Sequence, residues 1–280
     1  MTKKTFQSAE IVATASGQQY HIGCGPGDVA PYILLCGDPA RAHRTATYFE
    51  EAREPKTYRE YVTITGTYHG IPISVMATGI GTDNTEIAFV ELHQIVKNPT
   101  MIRIGTSGGL KRGMGLGDLV ISSGAVRMEN TSTAFVVEGY PAVAHYECVV
   151  ALLEAAAQKK FPHHVGLTAS TSGFYGAQGR RVPGFPPRDP EIPAKLDAMN
   201  VLNFEMEASC LFTLGALTGI RTGAVCAAIN NRHLNVFIDS DGLARAEQNT
   251  IETGLAAIEI LSNMDQRRGN ATCWLPSMGF

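Results

Sequence analysis

No apolar run in the sequence approaches the roughly 18 residues that a helix needs to cross a bilayer. The opening stretch, MTKKTFQSAEIVATASG, also lacks the apolar core and cleavage pattern of a signal peptide, so a cytoplasmic location is expected. Basic charge is in short supply. Lys and Arg number 23 against 26 Asp and Glu, a formal net charge of -3. Such a chain has no overall field to draw it to nucleic acid, and neither nucleic acid nor a membrane is expected as a partner. Any anion site must therefore be local. There is no CxxC pair and no His or Cys grouping at metal-ligand spacing. Cys24, Cys36, Cys148, Cys210, Cys226 and Cys273 are scattered and read as reduced. Finally, no glycine-rich stretch ends in Gly-Lys-Ser/Thr, and Gly79 and Gly81 are followed by Asn84 where GxGxxG needs its last glycine. A nucleoside triphosphate or a dinucleotide is a poor fit.

What is present is apolar enough for a sizeable core: 280 residues, 44% of them hydrophobic. Dividing by about 150 residues per domain gives roughly two, although one α/β domain reaches this size. Strand-like apolar runs alternate with stretches of helical period, and no linker divides them. Residues 31–37 read as a buried strand, and Pro39 suits the first turn of a following helix. Residues 61–79 read as a hairpin turning at His69 and Gly70, which breaks strict βα alternation. Asp83 and Glu86 resemble a capping box that opens the next helix. Further strands are expected at 100–105, 118–126, 164–171 and 222–230, and helices at 144–160, 206–218 and 243–264. Five prolines between 181 and 193 exclude a regular element there. Residues 1–264 read as a single domain, and 265–280, with no periodicity, as a tail or surface strap.

Three segments end strands with glycine beside an arginine or hydroxyl: Gly37-Asp38-Pro39-Ala40-Arg41, Thr78-Gly79-Ile80-Gly81 and Arg103-Ile104-Gly105-Thr106-Ser107-Gly108. Each can present backbone N–H groups to an anion. Arg103 interrupts an apolar strand, and a buried guanidinium must be paired. Two readings stay open: a structural ion pair with Glu207 or Glu91, or a phosphate fork completed by Arg41 and Thr106. A second constellation, Phe174-Tyr175-Gly176-Ala177-Gln178-Gly179-Arg180, joins an aromatic face, a carboxamide and a guanidinium. Gln178 can both donate and accept, as a pyrimidine edge requires, while Arg180 can donate to a carbonyl oxygen. A third, Asn203-Phe204-Glu205-Met206-Glu207, places acids at a helix start. They serve either as dipole partners or, through Glu207, as acceptors for sugar hydroxyls, with Met206 packed on the sugar.

These blocks in this order, with the Gly37 to Arg41 turn, closely resemble the nucleoside phosphorylase family and its uridine phosphorylase branch. The resemblance runs from about Tyr20 to Arg232, and the segment from Phe174 to Arg180 is its specific part. It implies a three-layer α/β/α fold around a central mixed sheet, and phosphorolysis of uridine to uracil and ribose 1-phosphate. Inorganic phosphate is the implied cosubstrate, with no cofactor. Carried over residue by residue, Gly37, Arg41, Arg103 and Thr106 would bind phosphate. Thr106, Met206 and Glu207 would hold the ribose, and Phe174, Gln178, Arg180 and Ile229 the base. Arg103, Gln178 and Arg180 would carry the catalysis. Arg59 and His21 resemble residues lent to a neighbour's phosphate and ribose, implying a homodimer or a hexamer of dimers with shared sites. Glu60 and Ile80 resemble part of a monovalent cation site, in which Asn84 stands where serine is expected. Purine-cleaving relatives place an aspartate after the strand at 222–230, where this chain has Asn230-Asn231-Arg232. The competing readings are a nucleoside hydrolase, a purine nucleoside phosphorylase of the same fold and a non-catalytic nucleoside-binding protein.

Overall fold

The apolar run at 31–37 forms strand β1 (Tyr32–Cys36) in a computed structural model that describes residue 6 and residues 8–280. Asp38 then caps helix α1 (Pro39–Ala46): its side chain accepts from the Ala40 N–H, and Pro39 occupies the first turn. A short edge strand, β2 (Lys56–Tyr58), precedes the expected hairpin of β3 (Tyr61–Tyr68) and β4 (Ile71–Ala77). His69 and Gly70 turn it with positive φ values of 49° and 75°, the backbone twist that a two-residue hairpin loop requires.

Helix α2 (Thr82–Ile95) differs from expectation at its start. Gly81 is the cap, with φ 99°, and no side chain caps the helix; Asp83 instead accepts from the Thr131 hydroxyl. Strand β5 (Thr100–Gly109) runs past the glycine turn expected at 105–108. It stays extended because it pairs on both sides, Gly108 opposite Phe204 and also opposite Asn230. Side chains there would collide: a Cβ on Gly108 would lie 2.9 Å from the Asn230 amide.

The remaining elements are β6 (Leu119–Met128), β7 (Ala142–Val143), α3 (Tyr146–Gln158), β8 (His163–Thr171), α4 (Ile192–Ala198), β9 (Val201–Glu205), α5 (Ala208–Thr218), β10 (Arg221–Asn231), β11 (Val236–Phe237) and α6 (Ser240–Arg268). Helix α4 begins inside the proline-rich stretch read as irregular, because Pro193 falls in its first turn, where a missing N–H costs nothing. Strand β9 was not expected, and it moves the start of the following helix from 206 to Ala208.

The strands form one mixed α/β sheet in the order β11-β10-β6-β8-β9-β5-β1-β4-β3-β2, with β7 beside β6. An additional β10–β5 pairing closes β10, β6, β8, β9 and β5 into a ring. Helices cover both faces. The alternation of β1 sends Leu34 and Cys36 into a core with residues of α1, α3 and α6, and Ile33 and Leu35 into a second core with α2 and α5. Helix α6 continues to Arg268, and Trp274, 1% exposed, packs into the first core from the segment read as a strap. Among the described residues no helix is long and apolar enough to cross a membrane.

Candidate active site

The ends of β1, β5, β9 and β10, with the loops after β4 and β8, open on a cavity of about 510 Å³. Gly37, Arg41, Ile80, Arg103, Thr106, Phe174, Gln178, Arg180, Met206, Glu207 and Ile229 all line it, although they span most of the sequence. An open cleft of about 830 Å³ adjoins it, sharing Phe174, Arg180 and Asn230.

At one end lie two arginines. Arg103 is 6% exposed, and its guanidinium is paired: Nη2 stands 2.5 Å from Glu207 Oε2 and Nε 3.1 Å from Glu205 Oε2. Burial disfavours this charge, but Glu207, Cys226 and Glu205 together hold its pKa above the ordinary value, so it is a fixed cation. Of the two expected partners only Glu207 pairs with it. Glu91 is engaged elsewhere, accepting from the backbone N–H of His21 and Ile22 and lying 2.7 Å from His21 Nδ1. Arg41 donates from Nη2 to Glu247 at 2.6 Å, while its buried Nε has no partner among the described residues.

Glu205 is one of the two acids expected at a helix start as a dipole partner. Its carboxylate accepts from Arg103, from the Ser170 hydroxyl and from the backbone N–H groups of Glu207 (2.8 Å) and Ala208 (2.9 Å). Burial pushes its pKa up, against the opposing pull of Arg103. Strand periodicity marks it too, since Asn203 and Glu205 share one face of β9. Glu207 itself accepts from the Gly81 N–H at 2.8 Å with Oε1 and from the Met206 N–H at 3.0 Å with Oε2. One lone pair of Oε1 thus remains open to a further donor.

At the other end, a short turn over Gly176–Gln178 presents Gln178, which is 3% exposed. Its Nε2 donates to Thr171 Oγ1 at 3.1 Å, and its Oε1 accepts from Arg180 Nη1 at 2.5 Å. Arg180 also donates to the Phe174 carbonyl, and its Cζ sits 3.7 Å from the Phe174 ring centroid. The Phe174 face and the Gln178 acceptor, both expected to meet a base, thus meet Arg180 in this structure. A half-buried guanidinium without a carboxylate takes the nearest π face and amide oxygen. Burial, followed by the charge of Arg232, pushes the Arg180 pKa down to about 10. Arg232 is half-buried too, and its Nη1 has no partner among the described residues. Asn230 lines the same end with an Oδ1 that has no partner among the described residues.

His21, Arg59 and Glu60 do not line the cavity. His21 and Arg59 sit together: Arg59 Cζ lies 4.7 Å from the Tyr20 ring centroid, and that ring meets His21 edge-on at 4.7 Å. Glu60 and Asn84 flank Gly79, whose φ of 80° and close approach to the Asn84 amide leave no room for a side chain.

The profile of the phosphorylase superfamily matches residues 31–259. The chain belongs to the phosphorylase superfamily. Within it, the chain is 44% identical to the uridine phosphorylase of Thermococcus kodakarensis, over 98% of both chains. It is 33% identical to the uridine phosphorylase of Escherichia coli over 83% of this chain and 94% of that one. A guanosine phosphorylase of Halorubrum lacusprofundi is 32% identical over 76% of this chain and 84% of its own length. The superfamily match covers the whole cavity, from Gly37 to Asn230, and all of its lining falls inside the matched span.

Proposed function

We propose that this phosphorylase-superfamily enzyme catalyses the reversible phosphorolysis of uridine, giving uracil and ribose 1-phosphate, with inorganic phosphate as cosubstrate. One observation carries the reading: a single cavity holds an arginine pair at one end, an amide and a guanidinium at the other, and Met206 with Glu207 between them.

In this reading Arg41, Arg103, Thr106 and the Gly37 turn hold phosphate. A phosphate oxygen attacks the anomeric carbon as its bond to the base nitrogen breaks, with inversion, and that electron pair leaves with the uracil. Uracil can depart as an anion whose charge spreads over its carbonyl oxygens, so Arg180 and Gln178 stabilise it by donation. The ring nitrogen, which carried no proton in uridine, then takes one from solvent, and the phosphate hydroxyl proton balances it. Each 1.36 kcal/mol of stabilisation restricted to the transition state is worth about tenfold in rate. Asn230 offers an amide where a purine N7 would call for an acid, which favours a pyrimidine. Deoxyuridine and thymidine are candidate further substrates.

Arg59 and His21, clustered on Tyr20 away from this chain's own cavity, fit donation to a neighbouring subunit, in a homodimer or a hexamer of dimers. Glu60 and Ile80, on either side of Gly79, fit a monovalent cation site at that contact. Pyrimidine salvage in the cytoplasm is the setting. The test is the rate of uracil release from uridine against phosphate concentration. Release should vanish without phosphate and saturate with it. An equal rate in phosphate-free buffer would instead identify a hydrolase, and binding without turnover a non-catalytic protein.

A further inference from the structure

The hairpin joining β10 to β11 walls the outer cleft that opens on the base end of the cavity, and it carries Arg232. Two like charges, Arg232 and Arg180, thereby line one cleft, near enough for the charge of Arg232 to help lower the Arg180 pKa. The restraint comes from behind the hairpin. Asn231 Nδ2 donates to the carbonyls of Lys111 (2.9 Å) and Met114 (3.0 Å), tying the hairpin's base to the loop after β5. Farther out, His233 Nε2 stands 2.9 Å from Asp197 Oδ2 at the end of α4, close enough for an ion pair though not aligned as a hydrogen bond. Asp197 is fixed in turn by Lys111, whose Nζ lies 2.7 Å from Asp197 Oδ1 and 2.8 Å from its backbone carbonyl.

We propose that Asp197 is a positioning residue for the base pocket: clamped by Lys111, it holds His233 and so keeps Arg232 beside Arg180. The inference rests on the uridine reading above. The hydrogen bond from Lys111 keeps the Asp197 carboxyl below the usual carboxylate range, so Asp197 is ionised at neutral pH. All three side chains are partly exposed, and pairs of this kind contribute little to global stability. Loss of the clamp should therefore loosen the hairpin without unfolding the domain.

The experiment compares the full-length enzyme with Asp197→Ala, Asp197→Asn and His233→Ala, by amide hydrogen exchange and by kinetics with uridine and phosphate varied in turn. Exchange over residues 232–237 should rise in all three variants. KM for uridine should rise about tenfold, while kcat and KM for phosphate stay within about twofold. Asp197→Asn should resemble Asp197→Ala, because it removes the charge facing His233, and adding His233→Ala to either should change little more. Unchanged exchange in the hairpin overturns the proposal. So does raised exchange with an unchanged uridine KM, or a parallel loss in kcat and phosphate KM, which would mark a merely structural role. If the unaltered enzyme fails to turn over uridine, the substrate reading falls separately, and the clamp is decided by hairpin exchange alone.

Discussion

Arg103 Nη2 lies 2.5 Å from Glu207 Oε2, so the cation at one end of the cavity is fixed by the carboxylate at its middle. Structural pairing is thus one job of this guanidinium, and phosphate binding is the second that the proposed function gives it. Removing it leaves Glu205 and Glu207 buried without their partner. Arg103→Ala should cost about 3–5 kcal/mol of stability, the usual penalty for breaking a buried pair, and should raise KM for phosphate. Denaturant unfolding and phosphate kinetics check the two effects. Arg103→Lys should recover part of the stability but less of the phosphate affinity, because an ammonium cannot make the fork.

Gln178 and Arg180 form one hydrogen-bonded unit, so their substitutions should not add. Either alanine variant should lower kcat/KM for uridine about 10- to 100-fold, the range for hydrogen bonds to a charged group. The double variant should be little worse than the poorer single one, with its melting temperature close to that of the unaltered protein. Steady-state kinetics over the four proteins tests this.

Arg59 lies outside its own chain's cavity, stacked on Tyr20. If it serves a neighbour, Arg59→Ala should raise KM for phosphate as Arg103→Ala does. Mixed oligomers of the two impaired variants should regain activity at low phosphate, since some sites would then combine an intact Arg103 with a neighbour's intact Arg59. Mixing after partial denaturation and refolding, followed by assay, checks it.

Stability should fall in acid through one network. Arg221 grips Asp265 with Nη1 and Nη2, both at 2.7 Å, and reaches Glu147 at 2.9 Å, joining the start of β10 to α3 and α6. Burial alone would raise both carboxyl groups. Hydrogen bonds from Arg221, with Tyr32 on Asp265 and the Trp274 N–H on Glu147, hold them below their ordinary values. A depressed carboxylate contributes stability that is present above its unfolded pKa, about 4, and is lost as pH falls through its folded value. Asp265→Asn should therefore melt below the unaltered protein at neutral pH, and the gap should close below about pH 4.

The sequence revealed elements whose cause is local. Asp38 and Pro39 announce α1, His69 and Gly70 announce the hairpin, and the stripe of Ile251, Leu255, Ile258 and Leu261 announces α6. It hid what depends on pairing between distant segments. Strand β9 is short and alternates Asn203 and Glu205 with apolar residues, because those polar groups face Thr168, Ser170 and Arg103 rather than solvent. The extension of β5 through its glycines has the same origin, since only closure against β9 and β10 makes that segment a strand. In the site, the glycine turn with Arg41, the arginine in β5 and the Gln178–Arg180 pair were legible because residue type and spacing carry their chemistry. Glu247 on Arg41 and Glu91 on His21 were not, because each depends on a contact across the fold, nor was the half-buried Arg232, whose setting depends on how the β10–β11 hairpin lies along the cleft.

The most direct measurement is phosphorus NMR of the enzyme with uridine and inorganic phosphate, read alongside uracil release. A sugar phosphate resonance should grow in step with uracil, matching the α-anomer of ribose 1-phosphate, as inversion by bound phosphate requires. Uracil accompanied by free ribose, with the phosphate signal unchanged, would contradict the assignment of Arg41 and Arg103 to an attacking phosphate.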